Sequence, residues 1–137
     1  MEIARFNKRA LSYLIDFLLT FGIGVALSIP LFIYTEIPWY FSIILLMIIC
    51  YLTYLLIHVT TMLLSRGRTL GAAIFGIKTV TKDNKPISGR NVWIKELYLG
   101  LLPFVIANAI YMLIIHTEQT LFDRITNSIV VDVRYST

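Results

Sequence analysis

Asp16 and His58 are the residues whose placement in this sequence asks for a chemical explanation. Asp16 closes the stretch RALSYLID, residues 9–16, and the next charged residue is Glu36. Between them runs FLLTFGIGVALSIPLFIYT. A carboxylate in hydrocarbon costs about 2.5–3.5 kcal/mol on the insertion scale, so it needs a partner or a task. Arg9 stands seven residues earlier. On a helix that spacing puts both on one face, about 10 Å apart along the axis and too far for an i,i+4 pair. At the interface, Arg9 can keep its head in water along a buried stem. His58 lies six residues before Leu64, about 9 Å from the end of a second apolar run. In an antiparallel hairpin it reaches the depth of Asp16. A cross-helix Asp16–His58 pair is then one reading, with Ser12, Tyr13, Thr60 and Thr61 as neighbouring polar groups. Such groups could respond to protons or coordinate an ion. The plainer alternative is a structural clamp that holds helices in register.

Other polar residues have narrower roles. In TEQTLFDRITNS, Thr120 and Asp123 fit an N-cap with an acidic residue three positions on. Asn108, amid apolar residues, suits a hydrogen bond between helices. His116 ends the last apolar block and marks an interface. Cys50 is the single cysteine, which excludes an intrachain disulfide and argues against a thiolate metal site. There is no nucleophile–base pair, no metal-ligand cluster, and GRTLGAAIFG lacks the lysine of a phosphate-binding loop. The expectation is neither an enzyme nor a cofactor protein.

The elements that must position these groups follow from composition. The chain of 137 residues is 58% hydrophobic and 15% charged, where a soluble domain would be about a quarter charged. The excess sits in blocks 10–35, 37–65 and 97–117. The first two pass the length of a membrane span. The fold expected is an all-α polytopic membrane protein, a single membrane domain over 1–137. MEIARFNKR resembles the start of a signal peptide, but the run after it is too long and offers no cleavage site.

The charge of +4 is distributed as a topology signal. Arg5, Lys8 and Arg9 precede the first span, the TEIP turn at 35–38 carries Glu36 alone, and residues 65–96 hold seven Lys or Arg. Positive segments stay cytoplasmic. The N-terminus and 65–96 are therefore expected inside, with Trp39 and Tyr40 at the outer interface. The basic segment suits anionic lipid, not nucleic acid.

Within that segment, IKTVT, a KDNK turn and PIS read as a short β-hairpin. An isolated hairpin is marginal, and SIVVDVR at 128–134 offers a third strand. Block 97–117 is either one further span or a kinked, re-entrant pair of helices broken near Pro103. The returning form lets the tail reach the hairpin and is the one favoured.

Three of these stretches together resemble the RDD family of bacterial membrane proteins. RALSYLID is similar to its first signature, SRGRTLGAAIFGIKTV to its cytoplasmic segment and QTLFDRITNSIVV to its closing segment. Ala72 and Ala73, Ser128 and Lys95 depart from the usual residues. The resemblance implies a bacterial inner (plasma) membrane location and a suspected role in transport. It adds Asp123 to Arg9 and Asp16 as one charge network, in which an arginine with five donors bridges two carboxylates. The expectation is a transport or ion-coupled component working through that network. The alternative is an accessory or regulatory subunit in which the network is structural. Two spans enclose no pathway, so a homo-oligomer or a partner membrane protein is expected in either case.

Overall fold

The computed structural model describes residues 2–115 and 119–133. Helix α1 (Phe6–Tyr34) and helix α2 (Trp39–Leu64) are both long and apolar enough to cross a membrane. At about 1.5 Å per residue each exceeds the roughly 30 Å of hydrocarbon. α1 starts before its apolar block, so Arg9 lies in the first turn of the helix rather than ahead of it.

The two helices invert the polarity of a soluble bundle. α1 buries Ser12, Asp16, Thr20, Gly24 and Ser28, one residue every four, and turns its leucines and phenylalanines outward. Small residues let helix backbones approach where lipid supplies no hydrophobic drive. At Gly24 a Cβ atom would lie 2.8 Å from the Cα of Cys50, so α1 and α2 touch backbone to backbone there. The stripe's hydroxyls bond within their own helix: Thr20 Oγ1 donates to the Asp16 carbonyl at 2.8 Å and Ser28 Oγ to Val25 at 2.7 Å.

At the Arg9 end sits a small cap. It contains helix α3 (Leu70–Phe75) and a three-stranded antiparallel sheet of β1 (Glu2–Ile3), β2 (Ile77–Thr81) and β3 (Ser128–Asp132) in the order β1-β3-β2. The tail strand therefore joins, as expected, and takes the central position. Lys78 pairs with Val131 and Val80 with Ile129. The expected hairpin is reduced. Its turn closes through Thr81 N–H to the Lys85 carbonyl at 2.9 Å, but pairing stops at one Val80–Pro86 bridge. Proline has no N–H to extend the ladder, and β3 occupies β2 along its length. Ala4, Ala72, Ile77 and Val130 form the core under the sheet.

The third apolar block starts earlier than its composition suggests. Helix α4 (Gly89–Leu99) is capped by Ser88 Oγ, which accepts from Asn91 N–H. It runs along α2, burying Val92 against Val59 and Met62. The chain then bends by 98° into helix α5 (Leu102–Ile115). The break falls at Gly100, where a Cβ atom would lie 2.6 Å from the Tyr51 ring and 2.9 Å from Tyr54. Pro103 belongs to the first turn of α5, where a missing N–H is harmless. Tyr13 and Tyr51 donate to the carbonyls of Leu99 and Leu97 at 2.7 and 2.8 Å, satisfying the end of α4. After α5 come helix α6 (Leu121–Ile125) and β3. The excursion that leaves β2 thus returns to the same sheet, so the N-terminal strand and the tail lie at one end. His116 falls outside the described residues.

Candidate functional site

Of the three residues expected in one charge network, two meet in the structure and Asp16 does not join them. Arg9 and Asp123 meet as an ion pair, 114 residues apart in sequence. The third member is Lys95, whose Nζ lies 2.7 Å from Asp123 Oδ1. Asp123 also keeps its capping role: Thr120 N–H donates to its carboxylate at 3.1 Å, and its own N–H donates to Thr120 Oγ1 at 3.0 Å. Ser128 Oγ approaches Oδ1 at 3.4 Å, which gives the serine before the valine run its role. The arrangement is therefore one carboxylate between two cations, not one arginine between two carboxylates. Asp123 is fully enclosed. Burial works against its charged form, but Lys95, Arg9 and these hydrogen bonds outweigh it and hold the carboxyl well below the usual range.

Asp16 stands apart from this cluster. Thr69 Oγ1 donates to its Oδ2 at 2.5 Å and Gly71 N–H to its Oδ1 at 2.7 Å. Neither of the expected partners, Arg9 nor His58, takes those oxygens. Arg9 is nearly two turns away on the same helix and reaches down to Asp123. The two donors belong to GRTLG. Thr69 is also the N-cap of α3, accepting from Ala72 N–H at 3.2 Å. Gly71 lies so close to α1 that a Cβ atom would fall 2.2 Å from the Ser12 carbonyl oxygen. Asp16 is thus a latch that holds α3 on α1, and Gly71 is the residue that lets it close.

His58 pairs with Glu96 instead. Its Nδ1 lies 3.1 Å from Glu96 Oε2, which also accepts from Tyr54 OH at 3.0 Å. Tyr54 and His58, one turn apart, stack with ring centroids 4.0 Å apart. Depth alone suggested Asp16; helix rotation, which depth does not specify, turns His58 toward α4. Lys95 and Glu96 were the residues missed. The signal was present in VWIKELYLGLL, where two adjacent charges interrupt an apolar run. On α4 they face inward while Trp93, Leu97 and Tyr98 face outward.

Between α1, α2, α4, α5 and the sheet lies a cavity of about 600 Å³. Arg9, Asp16, His58, Lys95, Glu96 and Asn108 all contribute to its wall. Asn108 was expected to bond between helices. Instead both atoms of its amide, and His58 Nε2, find no hydrogen-bond partner among the described residues, though both side chains are at least nine-tenths buried.

The model of the RDD family matches residues 3–127. The chain belongs to the RDD family. No curated protein and no solved structure matches it. In this RDD protein the stretches that carry the family likeness acquire physical roles. The opening arginine and the closing aspartate form one ion pair, the first aspartate accepts from the threonine and second glycine of GRTLG, and the valines of the closing stretch form the central strand.

Proposed function

We propose that this RDD protein is an accessory or regulatory component of a bacterial plasma membrane that binds a small molecule in the cavity. Arg9, Asp16 and Asp123 serve it by building the walls. The observation that carries this reading is the cavity itself, with Asn108 and His58 Nε2 buried in its wall and unengaged. The two aspartates have their hydrogen-bonding capacity committed to joining elements: Asp16 to α3, Asp123 to α1 and α4. Positive-inside bias orients the N-terminus, the sheet and the tail to the cytoplasm. There Arg66, Arg68, Lys82, Lys85 and Arg90 would meet anionic lipid. A chain this small works as a homo-oligomer or beside a partner membrane protein.

Ion-coupled transport is the second reading, and one observation favours it. His58 and Glu96 share a hydrogen bond in the cavity wall, the arrangement of a proton-exchanging pair. Liposomes loaded with a pH dye separate the two. The accessory reading expects no proton or sodium flux from well-folded protein. Flux that Glu96→Gln abolishes and that survives Asp16→Asn would replace it with the coupled one.

A further inference from the structure

The cavity's chemistry narrows what it holds, an inference that rests on the binding role proposed above. Its wall is mostly apolar, with Phe6, Leu14, Phe17, Met62, Val105 and Met112 among its residues. The formal charges at or just behind that wall balance one for one: Arg9, Lys78 and Lys95 against Asp16, Glu96 and Asp123. Of these, Arg9 and Lys95 share Asp123, Asp16 accepts two hydrogen bonds, and Glu96 accepts from Tyr54 and His58. Tyr13 OH is given to the Leu99 carbonyl. What remains unengaged deep in the wall is the Asn108 carboxamide, with donors and an acceptor, and one imidazole nitrogen. The deep charged groups are already bonded to one another or to fixed donors, so a buried ion would have to displace an existing partner, and a charge left unpaired is costly in such surroundings. Water alone would satisfy Asn108 and His58 but would leave the apolar wall wet.

Two helices that line the cavity bear on how a ligand reaches it. α1 packs on α2 and α3, while α5 packs on α4 and α6, and both α1 and α5 contribute residues to the cavity wall. Leu14 and Phe17 line it and remain exposed on a helix long enough to span the bilayer. A ligand arriving there comes out of hydrocarbon.

We propose that the cavity takes an uncharged, lipid-soluble molecule bearing a hydroxyl or carbonyl group, entering between α1 and α5 and anchored by Asn108 and His58 Nε2. Its volume falls in the range of roughly 300–1,000 Å³ that suits small-molecule sites.

The test uses the full chain in lipid nanodiscs and three photoreactive probes of equal length: a diazirine-bearing decanol, the matching decanoate and the matching decane. Peptides are mapped by mass spectrometry. The alcohol should label segments 9–17 and 105–112 saturably, with competition by unlabelled decanol. Decane and decanoate should mark only the outer faces of α1 and α2, without saturation. Asn108→Leu should weaken saturable labelling about tenfold, the loss of roughly one hydrogen bond. Ala109→Phe, which fills the cavity from α5, should abolish it and covers the case in which Asn108→Leu does not fold. Saturable labelling by decanoate in preference to decanol would overturn the neutral-ligand inference and leave a binding role standing. Equal saturable labelling by decane would remove Asn108 and His58 as anchors and overturn it too. No saturable labelling by any probe would sink both.

Discussion

Two buried polar side chains in this protein live under opposite terms. Asp123 has each carboxylate oxygen engaged twice, Oδ1 by Lys95 and Ser128, and Oδ2 by Arg9 and Thr120 N–H. Asn108, enclosed almost as completely, engages nothing among the described residues. An unsatisfied buried polar group costs about 1–3 kcal/mol. The protein therefore concentrates its polar bonding where the first helix, the bent pair and the tail converge, and leaves the Asn108 amide and His58 Nε2 in the cavity wall without a partner among the described residues. The first region fixes the fold. The second is held ready for something else to bond.

The sharpest way to break this contrast is Asp123→Ala. It removes the carboxylate that Lys95 and Arg9 share and leaves Lys95 buried, and thermal denaturation should report a loss of about 3–5 kcal/mol. Next comes Gly71→Ala. The added methyl has backbone for a neighbour, so α3 must lift from α1, at a cost of about 1–3 kcal/mol. Proteolysis within 65–76 should quicken in that variant. Acid comes third. The Asp123 carboxyl is depressed in the folded state, so its stabilisation is complete above the ordinary carboxylate value near about 4. It is lost as pH falls toward the depressed value. Melting temperature should drop below about pH 4, and a less steep drop in Asp123→Asn would confirm the source. The smallest effect belongs to Asn108→Leu, which should change stability by less than about 1 kcal/mol or raise it, because no bond is lost. A loss as large as that of Asp123→Ala would erase the distinction between the two regions.

Much of this arrangement was legible from the residues alone. The helical hairpin followed from two long apolar runs, because bilayer thickness sets a length that few soluble helices reach. The Thr120–Asp123 box followed from local geometry, since a cap and its third residue are neighbours in sequence. The valine-rich strand followed from composition and found its partners. Partnerships across the fold were harder. The pairing of His58 with Glu96 rather than Asp16 depends on the rotation of α2 about its own axis, which residue depth does not encode. The latch on Asp16 was carried by a backbone N–H and a hydroxyl, which no count of charges reveals. Lys95 and Glu96 were hidden by their nearness to a basic segment, where charges pass for solvated ones.

The position of β3 between β1 and β2 has a consequence for how the protein is made. Of the described elements it leaves the ribosome last, and Asp123 just before it. Until then β1 and β2 have no strand between them, and Arg9 and Lys95 lack the carboxylate they share. Chains emerge at about 5–20 residues per second, so the helical hairpin is in the bilayer for seconds before its cap can close. The cap therefore closes only when the closing stretch arrives, and a chain cut short before it would leave two strands without the one that joins them.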